Sequence, residues 1–451
     1  MYHDGEACRK VDTMCIVWGR QLDSHIAQYA DELAAQYGST ASTSFHSQGA
    51  FNRCYEVRIK QKLNTIFRFP ILGKVAFRKE KVIDEVTVMK YVSSHTSIPT
   101  PRFIRISESS WGPCMVLELV EGKLLSDYLK VPREPGKVEI LDPNIDTQTL
   151  TQAYQIMSRI LIQLSQCEFP SIGGLSRDRL GHWCVTKRPM TLNANQLVSL
   201  ANFPPADLPA DTFATATDYF TALAKKHLTH LRTQRNDAVE SEADCQRKYV
   251  ARCLFLRIAK GFSKVHNKGP FRLICDDLRP SNVIVDEKMS LRCVIDWEFS
   301  YAAPAEFTYC SPWWLLLAHP DDWEDSLDSF LAQYLPRHET FLRALKETED
   351  EEIRGGRLCE SQRLSDHMAR SMQNGTFWFC LAATSSFAFD DIYWRFIDSE
   401  YFGKFTSIEE RIELLSLEER DSLEEFVRIK LQQAEVRTLD EYRTLDDILA
   451  S

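Results

Sequence analysis

The stretch FRLICDDLRPSNVIVDEKMSLRCVIDWEFSY, residues 271–301, decides the fold class of this chain. Within it Asn282 stands five residues after Asp277, and Asp296 stands nineteen residues after Asp277. The apolar runs VIV and CVI separate these polar residues, and β-branched runs of this length are typical of short strands. We therefore predict a loop carrying Asp277 and Asn282, a small hairpin, and Asp296 at the end of the hairpin.

The spacing of these three residues suits the chemistry of phosphoryl transfer. A phosphoryl donor such as ATP with magnesium needs oxygen ligands for its cation, and Asn282 and Asp296 can supply them. The accepting hydroxyl or amine needs a carboxylate beside it, which makes Asp277 the candidate catalytic residue. The order of these groups is the layout of a kinase catalytic loop followed by a metal-binding aspartate.

An ordinary polar turn is the alternative explanation of the loop, because Asp, Pro, Ser and Asn are all common turn residues. Asp296 favours the kinase interpretation. It stands among apolar neighbours, where a carboxylate is costly to bury without a partner or a metal.

Three short motifs point to a family. They are LRPSN at residues 278–282, VIDWE at 294–298 and APAEF at 303–307. Together they resemble the aminoglycoside phosphotransferase-like family, and within it the fungal branch of the protein-kinase-like small-molecule kinases. The resemblance implies an α+β, protein-kinase-like bilobal fold, with a small N-terminal lobe of antiparallel sheet and one helix and a larger, mostly helical C-terminal lobe. It also implies ATP, Mg²⁺ and a small-molecule acceptor with a hydroxyl or amine.

The chain departs from the family pattern at the start of the catalytic loop. The family usually has His-Gly-Asp where this sequence has Cys275, Asp276 and Asp277, and the spacing to Asn282 makes Asp277 the equivalent of the catalytic aspartate. In kinase folds the histidine braces the loop by packing and hydrogen bonding. Cys275 is a poorer hydrogen-bond donor, so we expect the change to affect turnover more than the fold.

The N-terminal third contains the other parts of a kinase fold in the expected order. The segment SQGAFNR carries Gly49 and Asn52 in a candidate phosphate-covering loop, and the strand TIFRFP has Arg68 at its centre to hold the donor phosphates. A helix predicted over residues 79–92 places Glu85 where it can pair with Arg68. A hairpin turn, a surface cation and a solvated glutamate are the ordinary alternatives, and the order of the parts favours the functional interpretation.

The run CMVLEL at residues 114–119 predicts the last strand of the small lobe. We place Glu118 and Leu119 at its end among the nucleotide contacts, because the hinge that follows would receive the adenine through its backbone. The predicted domains are residues 1–119, an N-terminal helix and nucleotide-binding small lobe, and residues 120–451, a large lobe with the catalytic loop and a helical acceptor-binding region.

The N-terminal helix is predicted from an amphipathic pattern over residues 21–37, with Gly38 as its stop.

Composition and charge exclude several classes of protein. An apolar content of 44% with 11% aromatic residues is typical of a globular protein. A net charge of −10 argues against nucleic acid or an anionic membrane as the main partner. The thirteen cysteines contain no C-x-x-C pair, and the sequence has neither a secretion signal nor 18 consecutive apolar residues. These features predict a cytoplasmic protein, while oligomeric state and protein partners stay undetermined.

The region after residue 307 favours a small-molecule acceptor. A protein kinase would carry Asp-Phe-Gly and Ala-Pro-Glu around a peptide-binding loop, whereas this chain has Asp-Trp-Glu and soon reaches the apolar run WWLLL. A helix predicted over residues 377–394 carries Asp390, Asp391 and Trp394, and the family often lines its acceptor site with acidic and aromatic side chains from this region. These three residues are candidate acceptor contacts; a solvated helix face with a core tryptophan is the alternative.

Two function classes stay open. The first is an ATP-dependent kinase of a small molecule, and the second is a catalytically impaired kinase-fold protein that binds nucleotide or metabolite without phosphoryl transfer. Cys275 favours the second class, and the retention of Asp277, Asn282 and Asp296 favours the first. The identity of the acceptor and the preference for ATP or GTP are not determined by the sequence.

Overall fold

The N-terminal lobe is built on a five-stranded antiparallel sheet with the strand order β1-β2-β3-β5-β4. The computed structural model of the protein describes residues 1–35, 40–59, 63–134, 137–323 and 326–442. The elements of this lobe are α1 (Gly5–Ala35), β1 (Ala41–Gln48), β2 (Asn52–Ile59), β3 (Leu63–Pro70), α2 (Arg78–His95), β4 (Phe103–Ser109) and β5 (Gly112–Glu118).

The sheet register places the predicted basic residue at the centre of the lobe. On β3, Arg68 pairs with Cys54 of β2 on one side and with Met115 of β5 on the other. Alternate residues of β3 face opposite sides of the sheet. Phe67 and Phe69 pack into the core under α1, so Arg68 faces the opposite side, towards α2.

The N-terminal helix is longer than the sequence pattern predicted. The predicted start at residue 21 is wrong, because α1 begins at Gly5. Its buried stripe starts near Ala7 and continues through Trp18 and Leu22, but exposed Ile16 and Val17 interrupt the apolar period between them. Gly38, the predicted stop, lies outside the described residues.

The C-terminal lobe is mostly helical, and the predicted α+β, protein-kinase-like bilobal fold is confirmed. Its strands are β6 (Lys123–Leu124), β7 (Glu168–Phe169), β8 (Gly174–Arg177), β9 (Trp183–Lys187), β10 (Phe271–Cys275), β11 (Val283–Val285), β12 (Leu291–Val294) and β13 (Ser300–Ala303). Its helices are α3 (Thr147–Ser165), α4 (Leu192–Leu200), α5 (Ala216–Thr233), α6 (Glu242–Phe262), α7 (Ala305–Thr308), α8 (Leu327–Arg354), α9 (Ser365–Gln373), α10 (Thr376–Thr384), α11 (Phe389–Ile392), α12 (Asp398–Phe402), α13 (Ile408–Glu413) and α14 (Leu417–Glu435). No helix in the described ranges is long and apolar enough to cross a bilayer.

The predicted hairpin is present between the catalytic loop and Asp296. Strands β11 and β12 are antiparallel, with Val283 opposite Val294. Strand β6 joins the same sheet through the pair Leu124 and Ile284, so the segment after the hinge is attached directly to the hairpin. Gly122 just before β6 has φ of +154°, and a Cβ there would clash with Ile284, which explains the glycine at this close approach.

The helix predicted over residues 377–394 is interrupted. It divides into α10, a non-helical connection and α11, which a π-helical turn at Tyr393–Ile397 follows. At the break, Asn193 of α4 donates to Ser386 Oγ at 2.9 Å, and Ser386 N–H donates to Asn193 Oδ1 at 3.3 Å. These bonds to a distant helix replace the local helical ones.

Candidate active site

The catalytic loop joins β10 to β11 and carries Asp277 and Asn282. Asn282 Nδ2 donates to the backbone carbonyl of Asp277 at 2.7 Å and lies 3.4 Å from Asp277 Oδ2. Burial raises the pKa of Asp277 to about 6, although the Arg279 guanidinium, 3.2 Å away, opposes the rise. A carboxylate with this pKa is suited to accept a proton near neutral pH.

Asp296 lies beside this loop because the hairpin returns the chain to it. The N–H of Ile295 donates to the carbonyl of Asn282 at 2.9 Å, which fixes the end of the hairpin against the loop. The backbone of Asp296 has φ of +62°, in the left-handed region that residues other than glycine adopt at some cost. The structure thus brings Asp277, Asn282 and Asp296 together, as the sequence spacing predicted.

Cys275 occupies the position before the loop and contacts the segment that carries Asp296. Its Sγ lies 3.5 Å from the carbonyl oxygen of Glu298 and 3.8 Å from that of Asp296. Burial raises the pKa of the thiol well above its usual range, so the group is a neutral S–H that donates weakly to these carbonyls. Cys275 therefore braces this segment, although with weaker bonds than an imidazole N–H forms.

Arg68 is the centre of a buried charge network on the small-lobe side of the cleft. Its guanidinium pairs with Glu85, so the predicted ion pair is present, and it also pairs with Asp296 from the large lobe. Glu298 lies 3.3 Å from the same guanidinium. Burial opposes the charge, but the carboxylates outweigh it and raise the pKa of Arg68 well above its usual value. Arg68 is therefore a permanent cation shared between the two lobes.

Lys81 and Glu298 complete this network and were not identified from the sequence. Lys81 pairs with Glu298, donates to Asn52 Oδ1 at 2.9 Å and lies 3.7 Å from Glu85 Oε2. Asn52 Nδ2 donates to Glu298 Oε2 at 2.9 Å. Burial and the neighbouring Asp296 carboxylate raise the pKa of Glu298 to about 7. The available signals were the position of Lys81 one helical turn before Glu85 and the proximity of Glu298 to Asp296, but neither signal predicts burial.

The predicted phosphate-covering loop is a tight turn between β1 and β2. The N–H of Gly49 donates to the carbonyl of Asn52 at 2.9 Å and closes the turn. Among the described residues, no atom lies within 4 Å of the position that a Cβ on Gly49 would take. The turn therefore borders open space, as a loop over a ligand requires, and Asn52 is anchored below it by Lys81 and Glu298.

The two predicted contacts at the hinge use their N–H groups within the protein. Leu119 N–H donates to the carbonyl of Asn64 at 3.0 Å, and Glu118 N–H donates to the carbonyl of Arg102 at 3.0 Å. A bond from adenine to this segment would therefore use other backbone groups of the hinge. The roles of Glu118 and Leu119 stay predictions.

The residues around Asp296 fit a hard divalent cation. Glu85, Asp296 and Glu298 each offer a carboxylate oxygen within 4.8 Å of the others. Glu85 Oε2 is buried without a hydrogen-bond partner. The Asn282 amide nitrogen is engaged with Asp277, which leaves its oxygen as a further ligand. Oxygen donors of this kind are those that magnesium prefers.

A cavity of about 1370 Å³ opens on the large-lobe side of Asp277. It exceeds the usual range of small-molecule sites, roughly 300–1000 Å³. Carboxylates, aromatic rings and a few cations line it, among them Phe51, Asp276, Asp277, Arg279, Trp313, Trp314, His319, Asp321, Asp322, Trp323, Asp390, Asp391 and Trp394. Asp277 thus lies between the charge network around Arg68 and a cavity large enough for a small molecule.

The three candidate acceptor contacts all lie on the wall of this cavity. Asp390 is buried and engaged by Arg252, whose Nη1 donates to Oδ1 at 2.6 Å and whose Nη2 donates to Oδ2 at 3.1 Å. Asp391 is exposed, and Trp394 has its indole N–H buried without a partner. The alternative of a solvated helix face is wrong for Asp390, because a buried ion pair holds it. Acceptor binding by Asp390, Asp391 and Trp394 stays a prediction.

The Arg252–Asp390 pair gives the unfolding free energy a defined pH dependence. Burial raises the pKa of Asp390, but Arg252 outweighs burial and lowers it from 3.8 to about 2. Because the folded pKa lies below the unfolded one, the stabilisation is complete above about pH 4 and is lost as the pH falls from about 4 to about 2. We expect the gap in unfolding free energy between wild type and Asp390→Asn to shrink by about 2 kcal/mol over that range in urea titrations. A gap that does not change with pH would contradict the assigned ion pair.

The family of this chain follows from its sequence match. The model of the phosphotransferase enzyme family, APH, matches residues 42–345, which span the sheet, the catalytic loop and Asp296. The chain belongs to this family. The resemblance predicted from LRPSN, VIDWE and APAEF is thereby confirmed, and no curated protein matches the phosphotransferase sequence significantly.

Solved phosphotransferases match much of the chain, at low identity and with TM-scores below 0.5. A macrolide 2'-phosphotransferase of type I is 12% identical, with a TM-score of 0.42 over 83% of this chain and 94% of its own. A macrolide 2'-phosphotransferase from Brachybacterium faecium is 12% identical, with a TM-score of 0.39 over 84% of this chain and 99% of its own. An aminoglycoside-3'-phosphotransferase of type VIII is 15% identical, with a TM-score of 0.36 over 75% of this chain and 99% of its own.

Proposed function

We propose that this phosphotransferase transfers the terminal phosphate of ATP, with magnesium, to a hydroxyl or amine of a small molecule. The observation that carries the proposal is the position of Asp277. Its carboxylate faces the large cavity, Asn282 donates to its backbone carbonyl, and Asp296 beside them pairs with Arg68 of the charge network. Donor and acceptor can therefore meet at Asp277 from opposite sides.

Asp277 is the group that receives or orients the proton of the acceptor. It is buried, has a pKa of about 6 and is held at its backbone by Asn282. Its ionised form accepts a hydrogen bond from the attacking hydroxyl or amine and directs the nucleophilic atom towards the phosphate. Burial excludes water that would otherwise compete with the acceptor.

Arg68 and the residues around it hold the donor. Arg68, oriented by Glu85, carries a permanent positive charge that suits the donor phosphates. Gly49 and Asn52 cover the phosphates, and Glu118 and Leu119 lie at the hinge beside the adenine. Asn282 and Asp296 are the magnesium ligands, with Glu298 as a further oxygen donor, and the ion when bound would neutralise phosphate charge.

The cavity supports a small acceptor with both cationic and apolar parts. Asp391 is exposed on the wall without an ion-pair partner among the described residues, and aromatic rings such as Trp313, Trp323 and Trp394 form much of the surface. Carboxylates and aromatic faces both attract organic cations.

The thirteen cysteines, all within the described ranges, are free thiols, which supports the proposed reducing, cytoplasmic location.

Calorimetric titration with a non-hydrolysable ATP analogue tests the donor site. We expect magnesium-dependent binding to wild type, and loss of the magnesium dependence in Asp296→Ala, because that change removes a ligand oxygen. Asp286→Asn is the matched control, since Asp286 lies in the exposed turn of the same hairpin and its replacement keeps an acceptor oxygen for the turn. Binding of the analogue to wild type that does not depend on magnesium, or no binding at all, would contradict the assigned donor site.

A nucleotide-binding protein without phosphoryl transfer is the second candidate. The observation in its favour is the pair between Arg68 and Asp296, which engages the carboxylate assigned to magnesium. The weak bracing by Cys275 adds to it. Magnesium-dependent binding without release of ADP in the presence of any acceptor from a chemically broad screen would favour this candidate over catalysis.

A further inference from the structure

Residues 187–200, here the bridging segment, lie between the acceptor cavity and the helix that carries Glu85. The segment contains the end of β9 and all of α4. Leu192, Asn193 and Gln196 of α4 line the cavity that Asp277 faces. The bridging segment therefore contributes directly to the proposed acceptor site.

The first turn of α4 is attached to the catalytic loop by a single side chain. The carboxylate Oδ2 of Asp276 accepts the N–H of Leu192 at 3.0 Å. Thr191 caps the same turn by accepting the N–H of Ala194 at 3.0 Å. Asp276 is the residue before the catalytic Asp277, and the family usually has glycine there. This chain thus carries, next to its catalytic aspartate, a carboxylate that holds a cavity wall.

The other side of the bridging segment is held to α2 by two ion pairs. Lys187 Nζ lies 2.5 Å from Asp84 Oδ1. Arg188 donates to both carboxylate oxygens of Glu80, from Nε to Oε1 at 2.9 Å and from Nη2 to Oε2 at 2.6 Å. Asp84 and Glu80 lie in the N-terminal half of α2, one helical turn apart.

A buried asparagine attaches α4 to the loop before α2. Asn195 Oδ1 accepts the N–H of Ala76 at 2.9 Å, and its Nδ2 donates to the carbonyl of Lys74 at 2.9 Å. Asn195 is 1% exposed, so these bonds are shielded from water. Breaking these bonds would leave buried polar groups without hydrogen-bond partners. The free-energy cost of doing so holds α4 and the loop before α2 in one arrangement.

Helix α2 carries the donor-side groups next to these attachment points. Lys81 and Glu85 both belong to α2 and pair with Glu298 and Arg68 of the charge network. A movement of the bridging segment therefore acts on α2 through three attachments, and on the catalytic loop through Asp276. The path from cavity wall to donor site consists of hydrogen bonds and ion pairs along two rigid helices.

We propose that the bridging segment couples the acceptor cavity to the donor site, with Asp276 as the positioning residue that attaches it to the catalytic loop. The proposal rests on the proposed function, because it links the two sites defined there. An acceptor seated against α4 changes the position of α2 and hence the affinity for the donor. By linkage, the donor changes the affinity for the acceptor by the same factor.

Hydrogen–deuterium exchange of the full chain tests this coupling without knowledge of the acceptor. Exchange is measured with and without a non-hydrolysable ATP analogue and magnesium, in wild type, Asp276→Ala and Asp276→Asn. We expect the analogue to slow exchange of residues 192–200 by about fivefold or more in wild type, the lower end of typical coupling. For each variant, exchange with the analogue is compared with exchange of the same variant without it, so that faster exchange caused by a general loosening of α4 affects both measurements equally.

The two variants test whether the hydrogen bond from Leu192 N–H to the side chain at position 276 transmits the effect, because Asp276→Ala removes this bond and Asp276→Asn keeps it. Asp276→Ala loses the slowing at residues 192–200 although the analogue still gives heat in calorimetry, because Asp276 contacts none of the donor-side groups. Asp276→Asn keeps the slowing, since its amide oxygen accepts the N–H of Leu192. If Asp276→Ala does not fold, Arg188→Gln removes one of the three attachments on the α2 side and is expected to reduce the slowing; unchanged slowing in Arg188→Gln would then overturn the coupling.

Three results would overturn the coupling. They are wild type that binds the analogue with heat but shows no slowing at residues 192–200, slowing that persists in Asp276→Ala, and slowing that Asp276→Asn loses as completely as Asp276→Ala. Failure of the proposed function looks different: wild type gives no heat with the analogue at all, and the coupling is then overturned with it.

Discussion

We expect Asp277→Asn to lower the rate of the proposed phosphoryl transfer by about 10²–10⁴ and to leave the affinity for ATP largely intact. Asparagine keeps the shape of the side chain but cannot accept a proton from the acceptor. Asn282 binds the backbone carbonyl at position 277, so the loop keeps its main anchor in the variant. The loss therefore falls on turnover and not on donor binding.

Release of ADP at saturating ATP measures this effect, with the first acceptor found by screening. Titration with the ATP analogue measures affinity in the same preparations. Asp286→Asn serves as the control, because it makes the same chemical change in an exposed turn of the neighbouring hairpin. Equal turnover in wild type and Asp277→Asn would remove Asp277 from the catalytic role.

We expect Arg252→Met to lower the free energy of unfolding by about 3–5 kcal/mol, the usual range when one partner of a buried ion pair is removed. Arg252 is fully buried in α6 and donates to Asp390 at 2.6 and 3.1 Å. It also donates to the carbonyls of His227 at 3.1 Å and Lys248 at 2.9 Å. The variant leaves a buried carboxylate and two carbonyls without these donors.

Urea titration at pH 7 measures this loss, and a double variant tests its cause. Arg252→Met with Asp390→Leu removes both charges, so we expect it to be more stable than Arg252→Met alone. A loss below about 1 kcal/mol in the single variant would show that the pair contributes no more than a surface ion pair.

The catalytic loop and the Arg68–Glu85 pair were predictable because local pattern and order determine them. Asp277, Asn282 and Asp296 lie on one loop and one hairpin, whose strands follow from short β-branched runs. The strand of Arg68 and the helix of Glu85 each have a recognisable period and follow each other along the chain. Sequence separation within each element is small, so spacing translates directly into geometry.

The burial of other site residues could not be predicted, because it depends on contacts between distant elements. Lys81 is typical of a solvated helix face in sequence, yet Glu298, more than two hundred residues later, makes it a buried cation. Asp390 is similar, since its ion pair with Arg252 of another helix offsets the cost of burying its carboxylate. The interruption between α10 and α11 arises from Asn193, whose bonds to Ser386 no local pattern encodes.

The sequence by itself determined the family, the α+β bilobal fold and the three residues around which phosphoryl transfer is proposed. The apolar period of each element and the spacing of the motifs are local properties, so they can be recognised in the amino-acid sequence alone. Only the tertiary structure decided how the two sites are joined, through α4, Asp276 and the attachments to α2. These contacts are polar groups paired across long sequence separations, and the partners meet only when the lobes and helices pack together.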